Sequence, residues 1–156
     1  MTEGDGTQLM LHSVIDRGVP NKEHIALLVL EDVETTHEYL ILIGVTATPG
    51  DAIPIVDSSY WLGHGELKKG DWVFIFTGPG EARLDKLPDE KSLYSLYWGR
   101  TQTVFYDPRI VPVLIRFSEV SVLPPPPSPQ PLPQFGAARI GAQSRAVEDA
   151  TIKDKT

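Results

Sequence analysis

The chain contains no cysteine. Disulfide staples, thiolate zinc sites and cysteine nucleophiles are therefore excluded, and the fold must rest on its apolar core. The absence fits a cytosolic protein and equally a phage or bacterial surface protein. Long hydrophobic runs are also missing. None approaches the roughly 18 residues needed to span a bilayer, so no membrane insertion is expected. Met1 to Gln8 is polar and glycine-containing, without the basic and apolar regions of a signal peptide. A soluble protein, cytoplasmic or virion-associated, is the expectation. Basic residues are few: 14 Lys and Arg stand against 21 Asp and Glu, for a net charge of −7. Such a surface repels phosphates, so nucleic acid is not the expected partner. The close basic pair Lys68-Lys69 reads as part of a turn.

Catalytic signatures are equally scarce. His12, His24, His37 and His64 form no H-x-H, H-x₃-H or H-E-x-x-H spacing. A metal site could be assembled in space only by drawing in Asp51, Asp57 or Glu66, and scattered histidines are more simply surface residues. Ser58-Ser59 lies near His64, but the G-x-S-x-G elbow that activates a serine is absent. Gly78-Pro79-Gly80-Glu81 lacks the lysine of a phosphate cradle and reads as a turn. No catalytic residue, no metal and no cofactor is expected, and the chain does not read as an enzyme.

What is present is a series of short apolar runs separated by turn residues. Leu9–Ile15 reads as a first strand at a sheet edge. Ile25–Leu30 and Tyr39–Val45 read as a hairpin or as neighbouring core strands, with a helix over residues 22–43 as the rival that Thr35, Thr36 and the β-branched cluster disfavour. Residues 46–59 read as a loop, in which Pro54 confines any strand to an edge. Trp72–Thr77 is the clearest strand. Trp72, Phe74 and Phe76 share one of its faces and Val73 and Ile75 the other, so it should be central, with one face in the core and the other covered. Residues 81–92 read as a long surface loop, with room for one helical turn at Pro88. Leu93–Trp98 is aromatic, and Tyr97 and Trp98 face opposite ways, so one belongs to the core. Thr101–Tyr106 reads as a strand. Residues 110–123 hold one or two more, with Val113, Ile115 and Phe117 inward and Arg116 and Ser118 outward. About seven short strands with Gly and Pro turns between them predict an all-β antiparallel sandwich.

The order of these motifs resembles the lamin-tail domain, an immunoglobulin-like β-sandwich found on nuclear lamins and many bacterial proteins. The resemblance is carried by Tyr60-Trp61-Leu62, by the turn Leu67-Lys68-Lys69-Gly70-Asp71 leading into Trp72–Thr77-Gly78, and by Leu96-Tyr97-Trp98-Gly99 followed by Val104-Phe105. It runs over about residues 25–122 in outline and from Tyr60 to Phe105 in detail. Phe105 stands where the family usually has tryptophan, and Asp107-Pro108 replaces its asparagine-glycine-aspartate turn. The resemblance implies an immunoglobulin-like fold.

Four segments follow: a disordered leader (1–8), the β-domain (9–123), a proline-rich stretch (124–133) and a polar tail (134–156). Leu123–Pro133 (LPPPPSPQPLP) must be largely polyproline II, because proline fixes φ and removes donors. It is either a stiff spacer or a ligand for an aromatic groove, with Pro124 and Pro127 as the contacting pair. The tail, flexible or ordered by a partner, could dock through Phe135 and Ile140. The expected function is a protein-interaction or structural module in a larger assembly, a virion or phage component among the candidates, with self or other subunits as partner. The alternative is a carbohydrate- or small-ligand-binding sandwich using Tyr60 and Trp61 with the loop acids Asp51 and Asp57.

Overall fold

The computed structural model describes residues 7–127. Among them the fold is all-β, with β1 (Leu9–Ile15), β2 (His24–Val29), β3 (Tyr39–Val45), β4 (Ile53–Trp61), β5 (Trp72–Phe76), β6 (Arg83–Lys86), β7 (Ser92–Tyr97) and β8 (Ile110–Arg116). A single 3₁₀ turn, Thr36–Glu38, is the only helical element among these residues. None of the described helices is long and apolar enough to cross a membrane. The chain divides into units 1–119 and 120–156. In the second unit, the described residues 120–127 are exposed and form no regular structure. Met1–Gly6, the proline-rich residues beyond Pro127 and the whole tail lie outside the described residues.

The strands form two sheets, ordered β1-β2-β5-β7-β6 and β4-β3-β8. Their inner faces share one core. The larger sheet contributes Leu9, Ile25, Leu27, Val29, Val73 and Ile75, and the smaller contributes Tyr39, Ile41, Ile43 and Ile110. The period-two geometry of a strand explains the selection, since every second side chain of β2, β3 and β5 points inward. β5 is the middle strand of the larger sheet, as its sequence demands. Trp98 belongs to the core and Tyr97 faces the other way, stacked on Phe76 with ring centroids 5.1 Å apart.

Several expectations are corrected. β2 and β3 are not a hairpin: β2 pairs with β1 and β5, whereas β3 pairs with β4 and β8. The connection between them carries the buried Val33, which bridges to Leu67 and takes the chain from one sheet to the other. Part of the presumed loop 46–59 is β4, an edge strand as Pro54 requires. The surface stretch 81–92 contains β6, and Pro88 opens a turn rather than a helix, with Glu90 at φ 67°. Thr101–Tyr106 is not a strand, although Val104 and Phe105 are buried. In β8 the inward residues are Ile110 and Leu114, so Val113 and Ile115 face outward, opposite Leu42 and Leu40 of β3. Gln8 is no part of a free leader, because its side chain accepts a hydrogen bond from the Tyr39 hydroxyl at 2.7 Å.

The pairing is also not wholly antiparallel, since β5 and β7 are parallel neighbours. The chain leaves β5 through Gly78-Pro79-Gly80, passes the end of β7 and returns as the edge strand β6. Gly80 lies on this path for a steric reason. A Cβ there would fall 2.3 Å from the Tyr97 ring.

Both ends of β5 are fixed by a buried carboxylate. At the start, Asp71 accepts from the Lys68 N–H and the Ser92 N–H, each at 2.9 Å. Beyond the other end, Glu23 accepts from Gly18 N–H at 3.0 Å, Phe105 N–H at 3.1 Å, Val104 N–H at 2.6 Å and the Thr77 hydroxyl at 2.5 Å. Glu23 is 1% exposed. A buried carboxylate is tolerated only when its oxygens are filled in this way. The clamp explains why Val104 and Phe105 are buried without strand pairing: their N–H groups go to Glu23 instead of a ladder.

Candidate functional site

The outer face of the five-stranded sheet is built from the alternate residues that the core does not use. On β5 these are Trp72, Phe74 and Phe76, all half-buried. The register places Leu28, Ala26 and His24 of β2 on one side of them and Leu93, Ser95 and Tyr97 of β7 on the other. His12 and Ile15 stand beyond β2 on β1. Phe74 is therefore flanked by two small residues, Ala26 and Ser95. Over Ala26 lies a groove of about 380 Å³, walled by His12, Ile15, Trp72, Phe74, Leu87 and Leu93. No carboxylate, lysine or arginine lines it.

The rings on this face are held in place by one another. His12 meets Trp72 edge-on with centroids 5.0 Å apart, and His24 lies tilted against Phe74 at 4.6 Å and Phe76 at 4.5 Å. Such offset and edge contacts suit the ring quadrupoles. The His24 Nδ1 lies 2.8 Å from the Lys22 carbonyl, so Nδ1–H donates there. Its Nε2 is buried without a partner, and it is the only such side-chain atom among the described residues. The Trp72 indole N–H likewise has no acceptor among the described residues, and because it is not buried it faces solvent. Trp61 differs, since its indole N–H donates to the His37 carbonyl at 2.8 Å.

A second concavity of about 320 Å³ lies at the far end of β5, between Pro20, Asn21, Pro79 and the loop 99–103. The one cation that lines it, Arg100, is engaged elsewhere: it donates to the Asp57 carbonyl at 3.3 Å and lies over the Trp98 ring. Among the described residues no group of three or more His, Asp or Glu side chains is placed to hold a metal ion.

The residues singled out for ligand binding lie along β4 and the turn before it. Tyr60 pairs in register with the inward Ile41, and its ring meets Trp98 at 5.4 Å. Trp61 pairs with the outward Leu40 and is 47% exposed. The two rings thus point to opposite faces of the strand. Asp57 sits in the irregular stretch of β4 at φ 60°, and Asp51 lies in the turn ahead of the strand. Neither of the two grooves described above is lined by any of these four. Pro124 and Pro127 are exposed in the second unit, whereas Phe135 and Ile140 lie outside the described residues. The aromatic groove itself was half legible. The sequence showed that β5 is apolar on both faces, but the flanking of Phe74 by Ala26 and Ser95 depends on strand register, which no local pattern reveals.

Comparison with known proteins returns no match: none among protein-family models, none among curated proteins and none among solved structures.

Proposed function

We propose that this chain is a non-enzymatic protein-interaction module, a subunit or accessory of a larger assembly, built on an immunoglobulin-like β-sandwich of the lamin-tail kind. The observation that carries the reading is the half-buried aromatic face of the larger sheet. An antiparallel sheet with one face in the core ordinarily turns polar residues to water on the other. Here the central strand offers Trp72, Phe74 and Phe76 instead, each still part-exposed. Contiguous exposed apolar patches on soluble proteins mark interaction surfaces, and tryptophan and tyrosine are the residues that carry most binding energy. The uncharged lining favours a protein segment over an ionic ligand. In favour of the lamin-tail reading stand two sheets around one core and the motif order from Tyr60 to Phe105. The parallel β5–β7 pair is a departure from a wholly antiparallel sandwich.

The test is selection from a random-peptide display library on the immobilised full chain, run beside the Phe74→Ser variant. Enrichment of a defined motif on the native chain and its loss on the variant is the expected result. No enriched motif, or equal enrichment on both, removes the aromatic face as an interaction surface.

A further inference from the structure

The sequence holds both halves of a known kind of recognition pair. One half is the aromatic groove. The other is Leu123–Pro133 (LPPPPSPQPLP), which has seven prolines in eleven positions and no charged residue. Polyproline II segments bind aromatic-lined grooves at low entropic cost because they are already extended, and their carbonyls, lacking internal hydrogen bonds, seek donors. The groove supplies what such a segment needs. Ala26 gives a floor low enough to admit a pyrrolidine ring between the walls of β1 and β5. The Trp72 indole N–H is a solvent-facing donor with no acceptor among the described residues. Spacing fits as well. Three polyproline II steps separate Pro124 from Pro127 by about 9 Å. Two strand steps separate Trp72 from Phe74 by about 7 Å, so successive contacting prolines fall near successive rings. Charge agrees, because in a chain with 35 charged residues (14 plus 21) the groove and the segment both have none. Pro124–Pro127 are themselves exposed, and so available to another molecule.

We propose that the proline-rich segment of one copy seats in the His12–Trp72–Phe74 groove of a second copy, with the Trp72 N–H donating to a segment carbonyl. This inference rests on the interaction-module reading and names its partner. It makes the segment a ligand rather than a spacer.

The experiment uses the full chain and a full-chain variant carrying Pro124→Ser, Pro126→Ser, Pro127→Ser and Pro129→Ser, which leaves the sheets untouched. Light scattering with chromatography should show concentration-dependent self-association for the native chain. The variant should stay at the monomer mass of 17.2 kDa. A synthetic peptide of the sequence Leu123–Pro133, titrated into the ¹⁵N-labelled variant, should move the Trp72 indole N–H resonance. An unmoved Trp72 resonance at about 1 mM peptide, the weak end of specific affinities, overturns the proposal. So does a moved resonance in the variant while the native chain remains monomeric, because the segment would then serve its own copy. If these arms fail while library selection still enriches a motif that needs Phe74, the interaction module stands with a different partner. If selection fails too, both readings fall.

Discussion

Replacing Glu23 with glutamine should destabilise the protein by about 2–4 kcal/mol, and the figure follows from its four partners. The carboxylate oxygens divide them: one accepts from Gly18 and Phe105, the other from Val104 and Thr77. An amide keeps one oxygen and turns two donors to the other side. Kept toward Gly18 and Phe105, it faces its NH₂ to Val104 and Thr77. The Thr77 hydroxyl can rotate and accept; the Val104 N–H cannot. One buried donor is then orphaned, at about 1–3 kcal/mol, and the surviving bonds lose the charge that roughly doubled their strength. Relief from burying a charge offsets part of this loss. The remainder is a large share of the 5–15 kcal/mol typical of a domain. Urea unfolding at pH 7, followed by tryptophan fluorescence, reads the difference as a lower midpoint at unchanged slope. Amide exchange should quicken at Val104 and Phe105 before it quickens in β2 or β5. Glu38→Gln is the control, because Glu38 pairs with Arg116 at a partly exposed site and should cost no more than about 1 kcal/mol. A Glu23→Gln loss below about 0.5 kcal/mol, with protection at Val104 and Phe105 unchanged, would refute the clamp.

Three further outcomes are expected. Gly80→Ala must displace the Tyr97 ring, whose nearest atom would lie 2.3 Å from the new Cβ; overpacking of this kind costs about 1–3 kcal/mol, measurable by the same urea titration. The Arg109 side chain and backbone N–H hold the Asp107 carboxyl down at about 2 against an ordinary 3.8. Its stabilising contribution is therefore complete above the ordinary value and drains as pH falls to about 2. In Arg109→Gln the carboxyl midpoint, read by NMR titration, should rise toward 3.8 without reaching it, since the backbone N–H still donates. Finally, Ile75→Ala should cost about 2–5 kcal/mol by opening a core cavity. The adjacent Phe74→Ala should cost less than half as much in stability, because its ring is already half-solvated.

Strands were legible where one strong pattern spanned the element. β1, β3 and β5 show their bounds in the sequence almost residue for residue, because apolar runs of β-formers end at Asp, Gly or Pro. β6 was not legible. Arg83-Leu84-Asp85-Lys86 has one apolar side chain, and it is an edge strand held by the β7 ladder rather than by burial. Thr101–Tyr106 erred the other way. Its β-branched and aromatic residues suggested pairing, but the buried N–H groups of Val104 and Phe105 are satisfied by a side chain 81 and 82 positions away. No local rule anticipates that, and Glu23 itself looked like one more surface acid. Val113 and Ile115 were assigned to the wrong face because β8 is apolar on both, and alternation then has no contrast to read. The candidate site suffers from the same ambiguity. That β5 has a second apolar face is plain from Trp72, Phe74 and Phe76. That this face is left half-buried, with a low floor at Ala26, follows only from topology.

Stability alone gives no account of that face. The core is complete without it: β2, β3 and β5 fill the interior with Ile25, Leu27, Ile41, Ile43, Val73 and Ile75, and the two carboxylates anchor the strand that runs through the middle. Selection for folding would set polar or β-branched residues on the outer side of β5 and its neighbours. Instead three departures coincide there. Large rings stand only half-buried on β5, small residues at Ala26 and Ser95 flank Phe74, and His24 keeps a buried nitrogen without a partner. Each costs something in solubility or stability, and each lies on the same patch. Local rules broken together at one place, in a domain that obeys them elsewhere, point to a surface kept for binding.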